Sequence, residues 1–270
     1  MLLTTAYFPP IEYFSILARY SVVYLEAHEK YRKQSWRNRC RILTANGPMD
    51  LNFPIVHDGA SMIKDIRVDW STPWLHKTEY AIDSAYYSSP FFEYYRDELF
   101  GILDSHPETL WDLNLGIIDF FCRKIGICPQ IRETAEYVAP GGTVTVAGSP
   151  RRESEVPSDP TIPLRSMVPP LPCRGRHVPY EGSQPLLSFA QGSAAGRLPG
   201  GVTGVEPPSK SANGVADMED RRYSIHPKLA SGYVAEPYWQ VFREKFGFVD
   251  GLSIMDLLFN EGPESLCYLK

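Results

Sequence analysis

No apolar run in this chain approaches the ~18 residues of a membrane-spanning helix, so no membrane span is expected. The N-terminal Met1-Leu2-Leu3-Thr4-Thr5 carries no basic stretch, and Pro9-Pro10 and Glu12 break the apolar run before a signal segment forms. A cytoplasmic location follows as the expectation. The five cysteines, Cys40, Cys122, Cys128, Cys173 and Cys267, include no C-x-x-C pair, which removes the common zinc and redox patterns and fits a reduced compartment without a bound metal. Also missing are G-x-G-x-x-G, the P-loop, H-E-x-x-H, G-x-S-x-G and D-x-D, so enzymes built on those devices are demoted. An excess of positive charge is lacking too. Lys+Arg 27 against Asp+Glu 32 gives a net charge of -5, which argues against DNA as a partner and makes any anion site local.

Aromatic residues are scarce in one place. Of 16 Tyr, 13 Phe and 5 Trp, only Tyr180 and Phe189 fall within residues 140–218, while the same window holds 13 of the 24 prolines and 11 of the 20 glycines. So little apolar surface cannot offset the entropy of ordering the segment. The chain is therefore expected to comprise an α/β core over 1–139, a Pro/Gly-rich disordered segment over 140–218, and a C-terminal segment over 219–270 that returns to the core.

What remains is patterned. Leu2 to Ala6 is a short apolar stretch stopped by Phe8-Pro9-Pro10, and Ile11, Phe14, Leu17 and Ala18 then follow helical spacing up to Tyr20. Val22 to Leu25 reads as a second strand, so strand, turn, helix and strand open an α/β unit. Alternation at Leu51, Phe53 and Ile55, and again at Ile66, Val68 and Trp70, predicts two half-buried strands, the first confined to an edge by Pro54. Ser71-Thr72-Pro73 predicts a capped start for a helix from Trp74 to Tyr87, and Pro90 opens another that carries Tyr95, Leu99, Ile102 and Leu103 on one face. Thr109-Leu110-Trp111-Asp112 is a capping box ahead of a helix ending at Gly126, and Ser253 to Asp256 caps a short helix through Phe259. The fold class expected is α/β: a single mixed-sheet domain with several packed helices and a long disordered insertion.

The most chemically pointed stretch is Lys30 to Arg41, where Lys30, Arg32, Lys33, Arg37, Arg39 and Arg41 have one acid nearby, Glu29. As a strand, Arg37 to Ile42 would put Arg37, Arg39 and Arg41 on one face and Trp36, Asn38, Cys40 and Ile42 on the other. Three planar guanidinium forks suit phosphate or carboxylate. A solvated edge strand kept soluble by charge would show the same row, but solvation alone does not call for the interleaved Trp36 and Asn38. His76, with Glu79 and Tyr80 at i+3 and i+4, is the candidate general base, against the alternative of a structural helix histidine. Neither His57 nor His28 has a recognisable partner in sequence.

The blocks Ala6-Tyr7-Phe8-Pro9-Pro10-Ile11-Glu12-Tyr13-Phe14, Trp36-Arg37-Asn38-Arg39, Ser89-Pro90-Phe91-Phe92, Leu113-Asn114, Ile125-Gly126-Ile127 and Leu252 to Asn260 occur in an order that resembles the WbqC-like protein family. The likeness covers about 1–137 and 219–270. It differs at Thr4-Thr5, where many members carry Gln-Pro, and in the middle, where longer members continue an α/β stretch. The resemblance implies cytosolic work on activated sugars for O-antigen or other surface polysaccharides. It carries over no catalytic residue and identifies no cofactor. The expectation is a transferase acting on a small phosphate-bearing substrate, a nucleotide-activated sugar, or attaching a small acyl or aminoacyl group to one, with Arg37, Arg39 and Arg41 holding phosphates, Asn38 beside them in the binding site, Trp36 or Tyr7 stacking on a ring and His76 as base. Two alternatives stand beside it: a non-catalytic binding or assembly protein that docks a pathway partner through Tyr238-Trp239 and Phe91-Phe92, and a single-stranded RNA binder using the arginine row.

Overall fold

The structure, a computed structural model, describes residues 1–140, 144–145, 215–216, 219–229 and 231–269. The chain divides into two units: Met1–Gly148 with Asn213–Lys270, described below, and Ser149–Ala212, which lies outside the described residues. Most of the segment expected to be disordered falls in that second group.

Three parallel strands, β1 (Leu2–Leu3), β2 (Val22–Leu25) and β5 (Gln130–Glu133), form a sheet in the order β1-β2-β5, with Leu2 opposite Tyr24 and Val23 opposite Ile131. Parallel neighbours need a crossover. Between β1 and β2 it is α1 (Ile11–Arg19), which buries Ile11, Tyr13, Phe14, Ile16 and Leu17 as the helical spacing requires. An antiparallel hairpin, β3 (Arg39–Thr44) and β4 (Gly47–Asn52), turns at Ala45-Asn46, and Gly47 takes the left-handed φ of 106° that the turn needs. Parallel and antiparallel pairing thus coexist in an α/β fold.

The helices are α2 (Trp74–Tyr86), α3 (Phe92–Asp104), α4 (Leu110–Ile125), α5 (Arg243–Phe246) and α6 (Ile254–Glu261). In α4 the Thr109 hydroxyl accepts the Asp112 N–H at 3.0 Å, and Gly126 closes the helix in the left-handed conformation, as the capping box and the glycine predict. α6 is buried from Ile254 through Asn260, with Asp256 and Asn260 among the apolar side chains, and Phe259 meets Tyr86 and Phe92 edge to face. Ile254, Met255, Leu257, Leu258 and Phe259 belong to the same buried apolar cluster as Leu3, Phe14 and Phe121.

Two local expectations are corrected. Ile66 to Trp70 forms only isolated bridges, Val68 to Ile55 and Arg67 to Thr109, because β4 ends at Asn52, two residues before Pro54, which has no N–H to continue a ladder. At α2 Pro73 itself occupies the cap position and no side chain caps the helix, since the Ser71 hydroxyl is bonded to Asp69. Among the described residues, Cys40, Cys122 and Cys267 are free thiols, and Cys173 lies outside those residues.

Candidate functional site

The arginine row does not stay together. Arg37 precedes β3 and turns inward, where its Nη2 lies 2.7 Å from both carboxylate oxygens of Glu29 and its Nε lies 3.0 Å from Oε1. Both side chains are 3% exposed. The Thr4 hydroxyl also bonds Glu29, and the Arg37 carbonyl accepts the Asn114 amide at 2.8 Å. Such a bidentate pair, fully desolvated, is committed to the interior. Arg39 and Arg41 keep the predicted common face of β3, and both reach Asp50 on β4, at 3.4 and 2.7 Å. Asn38 donates to the Phe53 carbonyl at 3.0 Å.

Tyr7 is fully buried, edge to face with Phe8 and Phe53, so its ring offers no face to a ligand. Burial raises its hydroxyl's pKa well above the ordinary range. His76 is exposed on the first turn of α2. Of the residues proposed from sequence, Trp36, Arg37 and Arg41 line two adjoining clefts, whereas His76 and Tyr7 line neither. The aromatic pairs are split as well: Tyr238 and Phe92 are buried, while Trp239 is exposed and Phe91 half-buried.

Trp36 forms the wall shared by the two clefts. Its ring is nearly buried at 8% exposure, and the Arg41 guanidinium lies 5.9 Å from its centroid. Beneath it a tight cavity is bordered by Arg32, Arg37, Arg222 and His226. Beyond it opens a cleft of about 460 Å³ whose polar groups come from Glu12, Arg41, His226, Tyr233 and Asp250. That volume lies within the ~300–1,000 Å³ usual for small-molecule sites.

The chemistry of the larger cleft rests on side chains that the sequence did not single out. His226 accepts the Lys228 N–H on Nδ1 at 3.2 Å, which places the ring proton on Nε2. Desolvation, followed by the nearby Arg37, Lys228 and Arg32, lowers its pKa, so the ring is neutral at pH 7 and Nε2 donates. Glu12, on the first turn of α1, has its carboxyl raised, first by burial and also by Asp250, while Ser231 and Arg221 act in the opposite direction. Asp250 accepts backbone N–H groups from Gly251 and Ala235 and is thereby fixed in place. A carboxylate with increased proton affinity, a neutral imidazole donor and a guanidinium thus face one space. Glu12 was visible within the Tyr7–Phe14 block, but nothing in the sequence ties it to His226 and Asp250, which lie beyond residue 218.

The sequence pattern of the WbqC-like protein family matches residues 5–147. Glu12, Trp36 and Arg41 fall inside that span; His226, Tyr233 and Asp250 lie outside it. The chain is also 27% identical over 145 residues to the uncharacterized protein Rv1507c of Mycobacterium tuberculosis (strain ATCC 25618 / H37Rv), a match spanning 52% of this chain and 62% of that protein. The chain therefore covers less than two thirds of the length of this relative. No solved structure matches it.

Proposed function

We propose, because the chain belongs to the WbqC-like protein family, that it is a cytoplasmic transferase of surface-polysaccharide biosynthesis acting on a phosphate-activated sugar in the cleft beside Trp36. The observation that carries this reading is the convergence of Glu12, Arg41, His226 and Trp36 on one cleft. Trp36 supplies an apolar face for a sugar ring. Arg41 brings a planar guanidinium fork and His226 an Nε2–H donor, so the two suit the phosphate that bears the leaving charge. Glu12 accepts the proton from the acceptor's hydroxyl or amine as the new bond forms, a role favoured by its raised pKa. The site works by positioning and proton transfer.

Binding of nucleotide sugars measured by calorimetry, together with turnover, tests the reading. Arg41→Ala should weaken binding by the ~1.5–3 kcal/mol of a charged hydrogen bond. Glu12→Gln should leave binding intact and lower turnover by about 10²–10⁴-fold. Binding that ignores Arg41, or turnover that ignores Glu12, refutes it.

A further inference from the structure

A third cleft, of about 470 Å³, shares no residue with the larger Trp36 cleft and is lined by His28, Glu29, Lys30, Arg32, Tyr137 and Tyr223, with Met62. Its charges are unevenly committed. Glu29, the one acid among the lining residues, is already held by Arg37 and Thr4. His28 donates Nε2–H to the Thr134 carbonyl at 3.0 Å, which leaves Nδ1 as its free ring atom. Lys30 and Arg32 are exposed, and neither has a carboxylate partner among the described residues. Arg32 instead lies over the Tyr223 ring, 4.6 Å from its centroid, a placement that fixes the guanidinium while leaving its N–H fork unused. Tyr137 remains 49% exposed at the same cleft.

Two unpaired cations alone would specify only an anion. A half-exposed tyrosine and a thioether beside them add an apolar face, and the cleft has room for a ring as well as a phosphate. We propose that this cleft binds a nucleoside phosphate, with the base stacked on Tyr137 and the phosphate held by Arg32 and Lys30. The site stands independently of the transferase reading, because Trp36, Arg41 and Glu12 take no part in it.

Calorimetric titration of the full chain with AMP and UMP, against adenosine, ribose 5-phosphate and inorganic phosphate, tests the assignment. The monophosphates should bind more tightly than all three comparators. Tyr137→Ala and Arg32→Ala should each weaken that binding by about tenfold or more, in line with the loss of one stacking or charge contact. Tyr137→Phe should retain it. Phosphate or ribose 5-phosphate binding as tightly as AMP reduces the cleft to an anion site and overturns the proposal. So does an absence of nucleotide binding, or binding that Tyr137→Ala does not alter.

Discussion

Asp256 faces no cation among the described residues. It is wholly buried on α6, where the Tyr238 hydroxyl donates to it at 2.5 Å and Gln240 Nε2 at 3.1 Å. Burial outweighs these bonds and pushes its carboxyl up to about 6. A raised folded-state pKa means that the native chain holds a proton the unfolded chain has released, so stability falls as pH rises from about 4 to 6. The size of the shift corresponds to about 3 kcal/mol. Denaturant midpoints measured across that interval should therefore decline for the natural chain, and Asp256→Asn should flatten the decline. An identical slope in both proteins would assign the pH dependence to other carboxyls. The same scale explains the arginine row. Its alternation was legible, and so was Glu29 as the one nearby acid, but period alone cannot tell that a residue just before the strand turns inward to meet that acid. Arg37 therefore read as a third phosphate-holding guanidinium, although it is the buried half of an ion pair.

At the scale of elements, legibility follows how many independent signals agree. Helix α4 has a capping box, helical apolar spacing, basic residues in its last turn and a glycine stop, and the structure places it at Leu110–Ile125. Strand β5 has one apolar residue, Ile131, in Gln130–Glu133, and it exists because β2 offers it a parallel partner, which no local pattern announces. The cap of α4 is testable by itself. Thr109 is exposed at its hydroxyl, where it accepts the Asp112 N–H and donates to the Asp112 carboxylate. Thr109→Ala removes the cap without opening a core cavity, so it should cost about 1 kcal/mol, within the usual ~0.5–2 range for such caps. Thr109→Asn, which supplies another capping oxygen, should recover most of the loss in thermal denaturation. A loss well above that range, unrecovered by Asn, would place the threonine in a tertiary contact instead.

For the whole molecule, the question is how a chain interrupted between its core and its C-terminal segment closes on itself. Two short strands, β6 (Val144–Thr145) and β7 (Val215–Ala216), pair antiparallel, with Val144 opposite Ala216, so the two sides of the interruption run side by side. Just beyond them, Leu2 N–H donates to Glu219 and Arg221 N–H donates to Leu2, which lays the returning chain along β1. Arg222 then anchors it. Its fully buried side chain bonds Glu26 Oε2 at 3.1 Å, the Val138 carbonyl at 2.7 Å and Asp220 at 2.6 Å. Glu26 is in turn satisfied by N–H groups of His28 and Val138 and by Thr134. The composition shift marked where the interruption lies, but this clasp was invisible in sequence, because it joins residues separated by 196 positions. Antiparallel neighbours need only a two-residue turn. Excising 149–212 and joining the ends through a short Gly-containing turn should therefore leave the rest of the chain folded. Closing a loop of under ten residues in place of one on the order of 70 should add about 1–2 kcal/mol. The shortened protein should melt at or slightly above the temperature of the full chain and keep the same near-ultraviolet circular dichroism. Loss of cooperative melting would mean that 149–212 supplies core contacts to the unit held by Arg222 and Glu26.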